Sequence, residues 1–501
     1  MPPEALTEQV RERVIFGLTL GIFVSALEMT VVAAAMPTVI AELGGLSHYS
    51  WVFSAFLLAS TVTLPVWGKL ADLYGRKRFY LLGLGLFLLG SALSGQARTM
   101  GQLIAFRIVQ GLGAGALIPL GLAIAGEILS FEERARKQAL FSSAWGIASI
   151  LGPIVGGYIT EHLSWRWVFY LGIPFGLAAA LLVGRTLSSQ RRSVAAARVR
   201  IGSAVMLMGA SLSLLFFAEG GISNLHKGLL LGGFITLLAL FLKMERGDPE
   251  PFLPVDFLSE RTISLSLLVS WLTGMAFLGS IGFFPLFVQG ALGESPVMAG
   301  KSLLPLFLSW VVSSIIASRL TLRVRFRSII LLAAVTLVAG FAMLTPLGGA
   351  PSLGKAFAAL MLIGVGMGLS NVTILLLVQY SVPAERLGRA TASVIFLRTL
   401  GGALGASLLG AVTNWRLRAQ GEMPAVDVRS LELILSSRAA SVAALSSEAV
   451  AELRSLLGRA LREAFTVGVI IAVFTLLVAL FLPRTEARDQ EPSESSLYPI
   501  A

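Results

Sequence analysis

The chain predicts an all-α integral membrane protein with fourteen transmembrane helices. Three observations carry that prediction: long apolar runs, charges confined to the joints between them, and basic residues gathered in every second joint. Of the 501 residues, 55% are hydrophobic and only 13% charged. A soluble domain carries about 25% charge, so the apolar surplus has to face lipid. Most runs are about 20 residues, the length that crosses a ~30 Å hydrocarbon core. Within that core every backbone group must be bonded internally, which makes the spans helices. Barrel strands would alternate apolar and polar residues, and these runs do not.

In chain order the runs fall at 14–36, 49–68, 79–97, 101–126, 138–160, 167–184, 201–218, 228–242, 263–289, 299–317, 328–346, 355–379, 390–413 and 464–482. The joints justify that division. One set holds Arg11 and Arg13, then Lys69, Arg76, Lys77 and Arg78, then Arg134, Arg136 and Lys137. It continues through Arg185, Arg191, Arg192, Arg198 and Arg200, then Lys243, Arg246 and Arg261. It ends with Arg319, Arg323, Arg325 and Arg327, then Arg386 and Arg389, then Arg484 and Arg488. The short intervening joints hold at most one base each: Arg98, Arg166, Lys227, Lys301 and Lys355. Bases collect on the cytoplasmic side, so both termini are expected there. A missed or surplus helix would break the alternation. The exception is residues 414–463, an outward segment of 50 residues with seven arginines, and long translocated segments are exempt from the rule. Segments such as Ser446 to Arg462 alternate Glu, Leu, Ala and Arg at helical spacing, which predicts one or two amphipathic helices there, either separate or continuing the last span outward.

The net charge of +11 could suggest nucleic acid, but its placement follows topology, so no nucleic-acid partner is expected. There are no cysteines, hence no disulfide or thiolate site. His48, His162 and His226 are isolated near outer span ends and read as interfacial residues. No metal is expected, and no nucleophile has an evident base, which argues against an enzyme. Met1 to Arg13 is polar and leads into a first span too long for a signal peptide.

Four stretches carry the chemistry. Gly68-Lys69-Leu70-Ala71-Asp72-Leu73-Tyr74-Gly75-Arg76-Lys77-Arg78 reads as a short cytoplasmic loop whose acid and bases suit an electrostatic latch, or simple anchoring. Leu27-Glu28-Met29-Thr30-Val31-Val32-Ala33-Ala34-Ala35-Met36-Pro37 places Glu28 about 21 Å along the first helix from Val14. An acid at membrane depth is a functional hypothesis by default. Water-poor surroundings disfavour its charge, which suits a group exchanging a proton for cargo. The alternative is a structural partner for a buried Arg. Arg107-Ile108-Val109-Gln110-Gly111-Leu112-Gly113-Ala114-Gly115 puts a permanent cation inside the fourth helix, for proton relay or for packing. Gly146-Ile147-Ala148-Ser149-Ile150-Leu151-Gly152-Pro153-Ile154-Val155-Gly156-Gly157 gives the fifth helix a kink at Pro153. Gly152, Gly156 and Gly157 leave it a nearly side-chain-free face that permits close packing.

These stretches resemble the 14-helix drug:proton antiporter branch of the major facilitator superfamily. The patterns are similar to G-x-L-a-D-r-x-G-R-k, L-D-x-T-I-V-N-V-A-L-P, R-x-x-Q-G-x-G-x-A and G-x-x-x-G-P-x-x-G-G. Two departures stand out: Glu28 replaces Asp, and Ala33 replaces Asn. Smaller matches follow at Trp165-Arg166-Trp167-Val168-Phe169-Tyr170, at Gln289 to Gly300, and at Arg398-Thr399-Leu400-Gly401-Gly402-Ala403-Leu404-Gly405. The resemblance implies two six-helix bundles with a two-helix insertion, divided as 1–184, 185–262 and 263–482 with a cytoplasmic tail 483–501. A second-half counterpart of the opening loop is expected after helix ten. Ser318 to Arg327 keeps the bases but lacks the acid and glycines.

The resemblance further implies a gating latch from Gly68, Asp72, Gly75, Arg76 and Glu127, proton coupling or substrate charge at Glu28, Arg107 and Arg398, and an antiporter seal at Gly146, Gly152, Pro153, Gly156 and Gly157. Arg398 is expected to face Glu28 across a central cavity. Gln110, Phe53, Phe56, Trp145, Trp271, Phe283, Phe284 and Phe396 are candidate cavity residues. The expected function is proton-coupled efflux of amphipathic, often cationic compounds across a bacterial cytoplasmic membrane. It would be driven by the proton gradient, with no cofactor. A lipid, siderophore or other amphipathic metabolite is the alternative cargo, and residues 414–463 are a candidate contact for a periplasmic partner.

Overall fold

The computed structural model describes residues 7–129, 131–186, 201–218, 224–246, 259–345, 352–382, 386–419, 431, 434–435 and 446–483. Among these residues there is no strand. The first six long helices are α1 (Glu8–Leu43), α2 (Tyr49–Tyr74), α3 (Arg76–Gly95), α4 (Met100–Ile128), α5 (Phe131–His162) and α6 (Ile173–Thr186), with a short turn of helix at Arg166–Tyr170 before α6. They pack on one another as an amino-terminal bundle. Next come α7 (Ile201–Ala218) and α8 (Asn224–Arg246). The carboxyl-terminal bundle consists of α9 (Arg261–Ser280), α10 (Leu304–Leu320), α11 (Phe326–Leu344), α12 (Leu353–Tyr380), α13 (Leu387–Ala419) and α14 (Ser447–Leu480). Thirteen of the described helical stretches are long and apolar enough to cross a membrane.

Several helices outrun their apolar runs. α1 begins at Glu8 and ends at Leu43, beyond the expected 14–36. Hydropathy marks only the part of a helix in hydrocarbon, and nothing at the surface obliges the helix to stop. α9 is broken instead of continuous: Ile281 and Gly282 interrupt it, a short helix spans Phe283–Leu286, and a π-helical turn follows at Phe287–Ala291. Gly282 lies under the Phe53 ring, where a side-chain carbon would come within 2.5 Å. α10 is likewise preceded by a separate helix, Pro296–Ser302.

The expected loop of residues 69–78 is corrected to a single residue. α2 runs on to Tyr74 and α3 starts at Arg76, so Gly75 is the whole connection. Its φ of 104° lies in a region that side chains rarely tolerate, which lets the chain reverse in one step. The outward segment 414–463 is also more helical than a loop. α13 extends into it as far as Ala419, and α14 starts at Ser447, where the Ser446 side chain accepts from the Ala449 backbone N–H. Leu453, Leu456, Leu457 and Leu461 are buried. The Leu435 carbonyl accepts from Gln289 Nε2 at 2.8 Å. Residues 420–430, 432–433 and 436–445 of this segment and the tail 484–501 lie outside the described residues.

α7 and α8 pack against each other, and α7 touches α2 in one bundle and α13 in the other. Trp51 of α2 meets Phe216 with ring centroids 4.8 Å apart, and Leu207 and Phe241 form a small cluster with Phe396. By contrast α8 leaves Leu225, Leu229 and Ile235 exposed, as a lipid-facing helix does.

Candidate functional site: a sealed ion pair and an outer closure

Glu28 on α1 and Arg107 on α4 form an ion pair, with Oε1 2.9 Å from Nη1 and the side chains only 2% and 1% exposed. The same Nη1 donates to Gln110 Oε1 at 2.7 Å. Arg107 Nε donates to the Val52 carbonyl of α2 at 3.4 Å. The guanidinium also stacks over the Phe56 ring, 4.0 Å from its centroid. A buried charge needs a partner and satisfied donors, and this cradle supplies both. The cradle depends on close helix approach: a side-chain carbon on Gly111 would stand 2.5 Å from the Phe56 carbonyl oxygen. Any larger residue there would push α4, and Arg107 with it, away from α2.

Arg398 does not join this pair. Its Nη1 donates to Asn371 Oδ1 of α12, inside the carboxyl-terminal bundle. The structure pairs Arg398 with Asn371 and Glu28 with Arg107, so the two do not bond to each other. Two expected cavity residues also have other surroundings. Phe56 lies beneath Arg107, and Phe396 packs on the α7/α8 pair. Trp145 and Trp271 are partly buried and touch the cores of both bundles, and Trp145 meets Trp310 edge-on at 4.6 Å.

Two residues beyond Glu28 on the same helix, Thr30 connects this pair to the glycine face of α5. Thr30 Oγ1 donates to the Ala148 carbonyl at 3.3 Å and sits where a Gly152 side chain would be. A carbon on Gly156 would lie 2.9 Å from the Val31 carbonyl oxygen. The opposite edge of α5 reaches the other bundle: Gly300 packs on the Pro153 backbone and Gly157 on that of Pro296. Only Gly146, a turn or more closer to the cytoplasm, has looser surroundings, with Val311 at 3.7 Å. Thr30 was not singled out in the sequence, where a lone Thr on an apolar helix gives no signal.

The hydrogen bonds between bundles cluster at one end, the one expected to face outward. Ser54 Oγ donates to the Ala403 carbonyl at 3.1 Å and accepts from Ser407 Oγ at 2.9 Å. Asn414 Nδ2 donates to the Ser47 carbonyl at 2.6 Å, and the Val297 N–H donates to Glu161 at 3.0 Å. The Tyr49 hydroxyl donates to the Gly282 carbonyl, and its ring lies edge-on to Phe283 at 5.2 Å. The two bundles are therefore closed against each other at the end that holds the α1–α2 connection.

At the opposite end of the amino-terminal bundle, Arg76 Nη1 lies 3.2 Å from Glu127 Oε1 and donates to the Ala123 carbonyl at 3.1 Å. The Asp72 side chain lies outside the described residues. No side-chain contact limits Gly68, where an added carbon would meet nothing within 4 Å. Among the described residues no three His, Cys, Asp or Glu side chains converge as a metal site would require.

The Major Facilitator Superfamily profile matches residues 18–406. The chain belongs to this superfamily. It is 33% identical to "Multidrug transporter protein MdtP" of Bacillus subtilis (strain 168), over 97% of this chain and 96% of that protein. It is 32% identical to "Multidrug resistance protein 3" of the same organism, over 80% and 79% of the two chains. In fold it is similar to a bacterial homologue of the human lysosomal transporter Spinster, with TM-score 0.69 at 15% identity, over 97% of this chain and 100% of that one. This superfamily member is a multi-pass membrane transporter and not an enzyme.

Proposed function

We propose that the chain exports amphipathic, often cationic compounds across the bacterial cytoplasmic membrane in exchange for protons, by alternating access. The observation that carries this reading is the Glu28–Arg107 pair, buried within one bundle and one helical turn from the seal. The names of the two Bacillus relatives support drug export as the task.

Protonating Glu28 cancels its charge and releases Arg107 to its remaining partners, Gln110, the Val52 carbonyl and the Phe56 ring. The strongest tie between α1 and α4 is then lost. Because Thr30 and Val31 press on the Gly152–Gly156 face of α5, a shift of α1 is passed to the helix that closes against Pro296 and Gly300. One proton event is thereby coupled to opening of the outer face. The deprotonated carboxylate is also the charge that suits a cationic cargo. In this scheme the proton gradient supplies the driving force, no cofactor takes part, and both termini are cytoplasmic.

The test is dye efflux from cells lacking their own pumps, with and without a protonophore. Efflux should stop with the protonophore and should also stop in Glu28→Gln at unchanged expression. Normal efflux by Glu28→Gln would overturn coupling through this residue.

A further inference from the structure

Arg398 poses a charge problem that the protein does not solve for itself. A guanidinium stays protonated in proteins, and a cation at membrane depth needs a counter-charge or water. Its partner is the neutral amide oxygen of Asn371. Among the described residues no carboxylate lies within ion-pairing reach of it. The contrast with Arg107 is direct, because that residue has Glu28.

Placement decides what could meet this charge. Arg398 lies about 16 Å along α13 from Leu387, at 1.5 Å per residue. It is five residues below Ala403, where the bonded outer closure begins. Its backbone packs on Gly274 of α9, level with Trp271 and Met275, which touch both bundle cores. The side of α13 that carries Phe396 and Leu400 is covered by the α7/α8 pair. Arg398 and Asn371 both keep partial exposure, and at 3.6 residues per turn Arg398 lies on the other side of α13 from Phe396 and Leu400.

We infer that Arg398, steadied by Asn371, is an anion-binding point in the cleft, which takes the carboxylate, sulfonate or phosphate group of an amphipathic molecule. The inference rests on the transporter reading and names a cargo feature beyond it. A cargo with both charges would place its acidic group here, in the opposite bundle from Glu28. An Arg matches such groups through paired donors, and Asn371 accepts from one Nη1, which leaves the other guanidinium N–H groups for a ligand.

The probes are 1-pyrenebutyrate and pyrenebutyl-trimethylammonium, which share an apolar body and differ in the sign of the head group. Binding is measured by fluorescence on the full chain in phosphatidylcholine nanodiscs, with no proton gradient. Arg398→Gln should weaken pyrenebutyrate binding about tenfold or more, the scale of a lost charge-assisted hydrogen bond, and change the cationic probe less than about twofold. Arg398→Lys keeps the charge and should retain most of the anion binding. Asn371→Asp supplies an internal carboxylate with Arg398 intact, and it too should abolish pyrenebutyrate binding. Equal weakening of both probes in Arg398→Gln, or undiminished pyrenebutyrate binding in Asn371→Asp, would overturn the site. Adding phosphatidylglycerol to the nanodisc separates the sources: displacement of the probe assigns the site to a lipid head group, and undisturbed binding assigns it to cargo. Since no gradient is present, proton coupling through Glu28 can fail while this site stands, and the reverse.

Discussion

A side-chain carbon placed on Gly157 would stand 2.7 Å from the carbonyl oxygen of Pro296. The contact joins backbone to backbone across the two bundles, so neither side can yield by turning a side chain. Gly157→Val should therefore prevent full closure of the outer face. Overpacking of this kind costs about 1–3 kcal/mol, enough to shift the population of the closed state several-fold or more. The chain has no cysteines, so spin labels at cysteines introduced for Leu163 and Glu294 report the outer gap directly. A longer distance population in Gly157→Val is expected, and an unchanged distribution would show that closure does not depend on this contact.

Glu28→Gln leaves Arg107 as an unpaired buried cation. Breaking one partner of a buried pair costs about 3–5 kcal/mol, and the Phe56 ring, Gln110 and the Val52 carbonyl will offset only part of it. A clear fall in thermal stability in detergent is expected. The double substitution Glu28→Gln with Arg107→Gln removes the stranded charge, and should recover much of that loss while efflux remains absent. Stability and transport would then separate in one pair of variants.

Ser54→Ala deletes the donor to the Ala403 carbonyl and the acceptor for Ser407. Each such bond contributes about 1 kcal/mol net. The outer closure should loosen without loss of the fold, visible as faster hydrogen exchange at the outer ends of α2 and α13.

Arg76 and Glu127 are partly exposed, at 24% and 41%, and an exposed pair contributes about 0–1 kcal/mol. Arg76→Gln should leave the melting temperature nearly unchanged. The pair forms here within one bundle while the outer face is closed, so any state-dependent part of the latch must come through other contacts. Asp72→Asn is expected to slow turnover without removing cargo binding, measured as a lower maximal efflux rate at similar half-saturation.

The helices were legible in the sequence because hydropathy and loop charge are local properties. Their ends were not, since α1 and α14 continue beyond the lipid and Gly75 turns the chain without a loop. Glu28, Arg107 and Arg398 could each be singled out as costly charges at membrane depth. Which acid meets which base is set by how α1 packs on α4 and α13 on α12, and no spacing along the chain encodes that. Thr30 shows the same limit from another side. Its contact with α5 matters because of a glycine more than a hundred residues away, and its own residue type announces nothing.

The α7/α8 pair bridges the bundles through Trp51 and Phe216 on one side and Phe396, Leu207 and Phe241 on the other. Apolar contacts have no fixed direction, so these rings by themselves set no single register between the insertion and the bundles. An insertion that touches both halves in this way should act as a greased bearing, holding them aligned and adding little resistance to any movement between them.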